Sequence, residues 1–271
     1  MGRDVAVVIG VGGMGRAIAR RIGGGRRLLV ADFDKANLDS VVEVLTGEGH
    51  DVTGRQVDVS DAGSVGALAE TAAGLGRVTQ VAHTAGVSPT QAATDAVLEI
   101  DLLGTALVLD AFGEVVAEGG AGVVIASMAA HLAPLPDDQV AALAGTPAGE
   151  LLSLPFLDRD APPGHAYALA KRGNIARVQA AAGMWGRRGA RINSISPGVI
   201  STPMGRAELA GESGAGMRAL VERSGTGRLG TPDDIADAAA FLLGPAASFI
   251  SGVDLLVDGG AVAGARAAVS A

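Results

Sequence analysis

A β-branched apolar run near the start of the chain is followed at once by a glycine-rich turn. Residues 5–9 form the run, residues 10–15 form the turn, and residues 16–22 have the composition of a helix. Continuous apolar runs are typical of strands buried on both faces of a parallel sheet. Strand, glycine turn and helix in this order can bind a dinucleotide, because glycines let the backbone approach a pyrophosphate and the helix N-terminus offers N–H groups. Glycine-rich turns also close ordinary strand–helix units, so the motif needs support from the rest of the chain.

That support comes from the alternation of strands and helices along the chain. Further strands are predicted at residues 28–32, 52–59, 78–83, 123–127, 191–196 and 253–257, and further helices at 34–46, 61–75, 95–118, 166–185 and 232–243, the last capped by Thr231. Such alternation predicts an α/β fold: a doubly wound, parallel, seven-stranded sheet (a Rossmann fold) in a single domain. Ligands of such sheets bind at the carboxyl ends of the strands. Residues 205–227 are glycine-rich and are expected to hold one short helix in a mobile stretch.

The composition excludes several classes of function. The 271 residues are 48% hydrophobic and 18% charged, with a net charge of −8, which argues against disorder and against a nucleic-acid partner. There is no cysteine, and the four histidines show no ligand spacing, so neither a disulfide nor a metal site is predicted. No apolar run is long enough to cross a bilayer, and the first strand leaves no room for a signal peptide. We expect a cytoplasmic enzyme.

Tyr167 and Lys171 are the pair that carries chemistry. Tyr167 is the only tyrosine, and Lys171 is one of two lysines. Four residues apart on a helix, their side chains share a face. A nearby ammonium lowers the pKa of a phenol, which brings it closer to the range in which it can transfer a proton. The alternative is a half-buried tyrosine beside a solvated lysine.

Asp32 ends the second predicted strand, 22 positions after Gly10. A carboxylate there accepts hydrogen bonds from the adenosine ribose and repels a 2′-phosphate, which favours NAD over NADP. The alternative role is the N-cap of the following helix, for which Asp34 is the better candidate.

Four motifs together resemble the short-chain dehydrogenase/reductase family of the single-domain type, over nearly the whole chain. They are the glycine turn, Tyr167-x-x-x-Lys171, Pro197-Gly198 followed by Ile200 and Thr202, and Val257-Asp258-Gly259-Gly260. The resemblance implies that Tyr167 is the general acid and base, that Lys171 lowers its pKa and binds the nicotinamide ribose, and that Ser127 holds the substrate oxygen. It implies contacts with the cofactor for Gly10, Gly12, Gly13, Met14, Gly15, Asp32, Phe33, Asp58, Val59, Thr84, Ala85, Gly86, Tyr167, Lys171, Pro197, Gly198, Ile200 and Thr202. It also implies a small-molecule alcohol or ketone as substrate and a homo-oligomer, either a dimer or a tetramer.

Two departures from the family pattern concern single positions. The glycine turn is one residue short, with two residues between Gly10 and Gly13. Asp101 stands where the family often has an asparagine that takes part in a proton relay through Lys171. A carboxylate accepts the same hydrogen bonds, but it lacks the donor and adds a charge that favours the ammonium. The alternative for Asp101 is a solvated helix residue.

A third departure is the distance of 40 positions between Ser127 and Tyr167, where the family usually has about a dozen. The additional residues form a Pro/Leu-rich insertion at about 131–164, which is either a lid for a bulky apolar substrate or a subunit contact.

The leading function is an NAD-dependent oxidoreductase acting on a secondary alcohol or ketone. The alternatives are an NADP-linked ketoreductase of secondary metabolism and a non-catalytic dinucleotide-binding scaffold.

Overall fold

The computed structural model describes residues 3–269 and contains one seven-stranded parallel sheet in the order β3-β2-β1-β4-β5-β6-β7. The strands are β1 (Asp4–Ile9), β2 (Arg27–Asp32), β3 (Asp51–Gln56), β4 (Arg77–His83), β5 (Val116–Ile125), β6 (Arg191–Pro197) and β7 (Asp254–Val257). The order reverses direction between β1 and β4, which is the topological switch point of a doubly wound sheet. The predicted Rossmann fold in a single domain is therefore confirmed.

Helices cover both faces of this sheet. They are α1 (Gly13–Ile22), α2 (Lys35–Gly47), α3 (Ala62–Leu75), α4 (Thr94–Val97), α5 (Gly104–Val115), α6 (Ala129–Leu132), α7 (Asp137–Gly145), α8 (Ala148–Leu151), α9 (Pro163–Arg187), α10 (Pro203–Ala210), α11 (Gly214–Arg223), α12 (Pro232–Leu243) and α13 (Ala261–Val269). One core lies between the sheet and α1, α2 and α12, and the other lies between the sheet and α3, α5 and α9. Neighbouring strand residues such as Val7 and Val8 belong to opposite cores, as the two-residue period of a strand requires.

The predicted long helix at residues 95–118 is wrong in its continuity and in its end. The segment starts as α4, widens into a π-helical turn at Leu98–Leu103, and continues as α5. From Val116 onwards the chain already belongs to β5. A π-helical turn inserts one residue without changing the apolar character of the segment, so periodicity does not reveal it, and such turns frequently lie at functional sites. Here the turn carries Asp101.

Two predicted strands end earlier than the sequence indicated. β3 ends at Gln56 because the chain turns there, with the Asp58 carboxylate accepting hydrogen bonds from the backbone and hydroxyl of Ser60 at 2.9 and 2.6 Å. β5 ends at Ile125, so Ser127 lies in the turn beyond the strand. Polar residues that follow an apolar run look like its last residues when only the sequence is known.

The Pro/Leu-rich stretch contains α7 and α8 and packs against α9 and the π-helical turn. Leu143 and Leu151 have no exposed surface and share a core with Leu98 and Leu102. The Arg177 guanidinium of α9 donates to the carbonyl oxygens of Leu143 and Thr146, both at 2.9 Å, and so satisfies the end of α7.

The last third of the chain is more helical than expected. Residues 205–227 contain most of α10 and all of α11, where one short helix was predicted, and α13 was not predicted. The predicted cap of α12 is confirmed as a capping box, in which Thr231 and Asp234 bond each other's backbone.

Candidate active site

The glycine turn between β1 and α1 is fixed by close backbone approaches. Gly10 has a φ of +86°, and a Cβ atom there would collide with the backbone of Ala85. At Gly15 a Cβ atom would collide with the carbonyl oxygen of Gly10, and at Gly13 it would lie 2.8 Å from the Thr202 side chain. The fold itself therefore requires these three glycines.

Gly12 differs, because a Cβ atom at that position would meet no protein atom within 4 Å. It faces a cleft of about 720 Å³ at the carboxyl ends of the strands. The first turn of α1 has no acidic residue and no side-chain cap, so its N–H groups remain available to an anion. Although the turn is one residue short, the residues fit a dinucleotide pyrophosphate.

Asp32 is held at the rim of this cleft by three donors. Its carboxylate accepts hydrogen bonds from the backbone N–H groups of Val11 at 2.7 Å and Asp34 at 2.9 Å, and from the Asn37 side chain at 3.2 Å. The cap of α2 is Asp34, which accepts from the N–H groups of Ala36 and Asn37. The alternative role of Asp32 as that cap is wrong. Asn37 was missed, because a polar residue in the first turn of a helix carries no special sequence signal.

Most of the predicted cofactor residues line this one cleft. They are Gly10, Gly12, Gly13, Met14, Gly15, Asp32, Phe33, Asp58, Val59, Thr84, Ala85, Gly86 and Thr202, joined by residues that the motifs did not indicate, such as Gln91, Glu99 and Met204. Pro197 is buried at the end of β6, and Gly198 and Ile200 line a separate cavity of about 200 Å³. The structure thus places Thr202 against the glycine turn, whereas Pro197, Gly198 and Ile200 do not line the main cleft.

Lys171 and Asp101 lie directly behind Gly86 of the cleft, and Tyr167 packs beside Lys171, although none of the three lines the cleft itself. The Lys171 Nζ atom is 3.6 Å from the Asp101 Oδ1 atom, 3.5 Å from the Ile125 carbonyl oxygen and 5.4 Å from the centre of the Tyr167 ring. Gly86 separates them from the cleft: a Cβ atom there would collide with Asp101 and lie 3.2 Å from the Lys171 Nζ atom. A side chain at position 86 would displace this pair.

Asp101 is completely buried, so its interpretation as a solvated helix residue is wrong. Its Oδ1 atom accepts from the Val87 N–H group at 3.0 Å, and its Oδ2 atom has no hydrogen-bond partner in the described part of the chain. Burial raises the pKa of Asp101, and this effect exceeds the lowering caused by the charge of Lys171. The pKa of Lys171 is also raised, because Asp101 and Tyr167 together outweigh the effect of burial.

The Tyr167 phenol is half-buried, and its pKa is raised. Burial is the main cause and the charge of Asp101 adds to it, while the charge of Lys171 and a hydrogen bond with Ser127 lower the pKa. Lys171 therefore acts in the predicted direction, but it is outweighed. The phenol holds its proton at neutral pH and is ready to act as an acid.

Ser127 presents its hydroxyl group to Tyr167 from the turn after β5. Its Oγ atom accepts a hydrogen bond from the Ala129 N–H group at 3.2 Å. That bond occupies a lone pair and leaves the hydroxyl proton free to donate. An acid, a positive charge and a hydroxyl donor beside a cleft can together polarise a carbonyl group and protonate its oxygen.

A second buried polar chain lies behind this group. The His83 Nε2 atom is 3.2 Å from the Thr105 Oγ1 atom, and Thr105 donates to the Asp101 carbonyl oxygen at 2.8 Å. Burial and the charge of Lys171 lower the pKa of His83 to about 3. The described residues contain no cluster of His, Cys, Asp and Glu that could hold a metal ion. Within residues 3–269, no helix is both long and apolar enough to cross a membrane.

Comparison with known proteins gives a consistent result. A family model described as "Enoyl-(Acyl carrier protein) reductase" matches residues 10–145 and 144–262. The chain is 39% identical to the short-chain dehydrogenase/reductase bsc3 of Alternaria brassicicola, over 97% of both chains. It is 33% identical to a D-threitol dehydrogenase of Mycolicibacterium smegmatis, over 94% of this chain and 92% of the relative. A crystal structure of an actinorhodin polyketide ketoreductase variant with NADPH has a TM-score of 0.75 and 25% identity, over 97% of this chain and 99% of that one.

Proposed function

Because the chain belongs to the short-chain dehydrogenase/reductase family, we propose that it is an NAD-dependent enzyme that interconverts a bulky, apolar secondary alcohol and its ketone. The family acts on alcohol and carbonyl groups with a nicotinamide cofactor, so the chain is an oxidoreductase. The proposal concerns the cofactor, the substrate and the residues that do the chemistry. The observation that carries it is the grouping of Ser127, Tyr167 and Lys171, in which Lys171 lies behind Gly86 of the cleft that has Asp32 on its rim.

The proposed roles follow from these contacts. Ser127 donates a hydrogen bond to the substrate oxygen. Tyr167 gives its proton to that oxygen in ketone reduction and takes it back in alcohol oxidation. Lys171 stabilises the phenolate, and Asp101 holds Lys171 in its buried position. When bound, the nicotinamide supplies or accepts the hydride.

Asp32 supports NAD over NADP. Its carboxylate is held towards the cleft by Val11 and Asn37, where it can accept hydrogen bonds from ribose hydroxyls and repel a phosphate. When the two cofactors are titrated side by side and followed by fluorescence, we expect NADH to saturate the protein at concentrations well below those needed for NADPH. The variant Asp32→Ala should lose at least about tenfold of this preference, whereas Asp39→Ala, which removes an exposed carboxylate on the following helix α2, should keep it.

The competing candidate is an NADP-linked ketoreductase. It is favoured by the structural similarity to the ketoreductase solved with NADPH. Tight NADPH binding by the unmodified protein, unaffected by Asp32→Ala, would establish this candidate in place of ours.

Oxidation of cyclohexanol and 1-phenylethanol with NAD, and reduction of the matching ketones with NADH, tests the reaction itself.

The Pro/Leu-rich insertion supports an apolar substrate. Leu154 and Phe156 are partly buried and pack in the same cluster as Tyr167. We propose that they form the wall beside the reacting carbon. The variant Phe156→Ala should raise KM for 1-phenylethanol roughly tenfold and leave KM for 2-propanol unchanged, because only the larger alcohol reaches the wall. A changed oligomeric state with unchanged kinetics would instead assign the insertion to a subunit contact. Leu132→Ala, an exposed residue of the same stretch, is the control.

We further propose that the protein is a cytoplasmic homo-oligomer, either a dimer or a tetramer. Exposed apolar side chains support self-association: Phe249 is fully exposed and Phe241 is 44% exposed, and Val253 directly precedes the edge strand β7 with 40% exposure. Size-exclusion chromatography with light scattering measures the assembly directly. Phe249→Ser should shift the assembly towards the monomer.

A further inference from the structure

A buried carboxylate on β7 collects three hydrogen bonds outside the cleft. The Asp254 side chain is 6% exposed. Its Oδ1 atom accepts from the Ser194 hydroxyl at 2.6 Å, and its Oδ2 atom accepts from the Ser196 hydroxyl at 2.8 Å. The Oδ2 atom also lies 2.7 Å from the Nε2 atom of His131. None of these residues belongs to the sequence motifs or lines the cleft.

The arrangement is not that of a nucleophile and its base. Both serine hydroxyls donate to the carboxylate of Asp254 and not to the imidazole of His131. In a hydrolytic triad the serine hydroxyl is hydrogen-bonded to one nitrogen of the imidazole, and the carboxylate is hydrogen-bonded to the other nitrogen. Ser194 and Ser196 are also completely buried within β6, out of reach of any substrate. The cluster therefore holds structure in place and performs no chemistry of its own.

What it holds is the turn that carries Ser127. His131 belongs to α6, and its N–H group donates to the Met128 carbonyl oxygen at 2.9 Å. In the same turn, the Ala130 N–H group donates to the Ser127 carbonyl oxygen at 3.1 Å, and the Ala129 N–H group donates to the Ser127 Oγ atom at 3.2 Å. The turn between Ser127 and His131 is thus one hydrogen-bonded unit.

Both ends of this unit are attached to the sheet. At the near end, the Met128 N–H group donates to the Pro197 carbonyl oxygen of β6 at 2.9 Å. At the far end, the attachment to β7 is the contact of His131 with Asp254. Pairing to a carboxylate makes this a stronger contact than a bond between neutral groups. The His131 carbonyl oxygen also accepts a hydrogen bond from the Arg266 side chain at 3.1 Å, but that contact leads to α13 and not to the sheet. The imidazole is therefore the group through which this end of the unit is held to β7, on the same hydrogen-bonded turn as Ser127.

We propose that His131 and Asp254 are positioning residues that orient Ser127 towards the substrate oxygen. The inference rests on the proposed role of Ser127 in binding that oxygen. A misplacement of about 1 Å in a catalytic group can cost on the order of a hundredfold in rate. Loss of His131 should therefore lower kcat by roughly tenfold to a hundredfold. Cofactor affinity should remain unchanged, because the glycine turn and Asp32 lie at the other side of the sheet switch point.

The test compares His131→Ala with His131→Gln, whose amide N–H can still donate to Asp254. His50→Ala is the matched control, because His50 is a half-buried histidine outside the cleft. Three quantities are measured for each protein: the Kd for NADH, kcat and KM for 1-phenylethanol oxidation with NAD, and deuterium uptake of residues 126–133. We expect His131→Ala to lose kcat, keep the Kd and exchange faster in this segment. His131→Gln should recover most of kcat and most of the protection of this segment against exchange.

The outcomes separate the two proposals. If the unmodified protein binds NADH but oxidises none of the alcohols, the proposed function fails, and deuterium uptake still tests the positioning. Unchanged uptake and unchanged kcat in His131→Ala would overturn the inference. An equal loss of kcat, NADH affinity and thermal stability would also overturn it, because that result indicates general destabilisation.

Discussion

The substitution Asp101→Asn probes the charge balance around Tyr167 and Lys171, the proposed catalytic pair. At 3.6 Å and an effective dielectric constant of ~20, the attraction between the carboxylate and Lys171 is about 4–5 kcal/mol. The charge of Asp101 also acts on the Tyr167 phenol. For a separation of roughly 8 Å between these two groups, the same dielectric constant gives about 2 kcal/mol. Solvent in the cleft reduces this effect to about 1 kcal/mol.

The direction of the effect follows from the charges. Asp101 raises the pKa of Tyr167, so removing its charge lowers that pKa and favours the phenolate. Alcohol oxidation needs the phenolate as base, and its rate rises with pH towards the pKa of Tyr167. Asp101→Asn should therefore shift the oxidation profile to lower pH and increase kcat/KM at pH 7 by about fivefold. Ketone reduction should begin to decline at a lower pH than in the unmodified protein.

The assay follows NADH formation from 1-phenylethanol between pH 6 and 10, with thermal unfolding measured on the same samples. Asp110→Asn is the control, because Asp110 is an exposed carboxyl group on α5 that interacts with Arg177 and not with Tyr167. A shift to higher pH, or no shift with normal folding, would refute the inference that Asp101 acts on Tyr167. A folded but inactive variant would show that the carboxylate itself is needed to hold Lys171.

Three further substitutions test other parts of the structure. Gly12→Ala should weaken NADH binding at least about tenfold and leave the melting temperature unchanged, because a Cβ atom there meets no protein atom; unaltered affinity would place the pyrophosphate elsewhere. Thr231→Ala should remove the capping box with Asp234 and cost about 1 kcal/mol, seen as a fall of roughly 2–4 °C in Tm; an unchanged Tm would contradict the cap. The pKa of His83 is lowered to about 3, so the unfolded chain binds a proton near pH 6.5 that the folded protein binds only near pH 3. The free energy of unfolding should therefore fall by about 1.4 kcal/mol per pH unit as pH drops through this window, and His83→Gln, which can still bond Thr105, should fall less steeply in denaturant titrations. Equal slopes in the two proteins would show that His83 does not control the acid sensitivity.

The sequence was sufficient for the fold because its signals are local. Most of the strands are short apolar runs, and the helices α2, α3 and α12 each begin at a capping side chain, so the alternation of elements is visible residue by residue. The glycines of the turn were visible for the same reason, since only glycine tolerates the backbone approach of Ala85 to Gly10. The π-helical turn escaped detection because it changes the hydrogen bonding and not the composition.

The candidate residues of the site could be named from the sequence, but their electrostatics could not. Tyr167 and Lys171 share a helix face by spacing alone, and motif order added Ser127. The net pKa shift of Tyr167 depends on burial and on Asp101, which sequence spacing does not report. The burial of Asp101 also could not be predicted from the sequence, because it depends on how the π-helical turn packs against α9.

Long-range contacts between polar residues were decided only by the tertiary structure. His131 and Asp254 are 123 positions apart, and no periodicity or motif connects them. They meet because β7 joins the sheet beside β6 and α6 folds back over that edge. The sequence by itself determined the class of fold, the dinucleotide turn and the tyrosine–lysine pair, since each depends on neighbours a few residues away. Tertiary structure decided the charge balance of the pair and the contact between His131 and Asp254, because both depend on groups that only the folded sheet brings together.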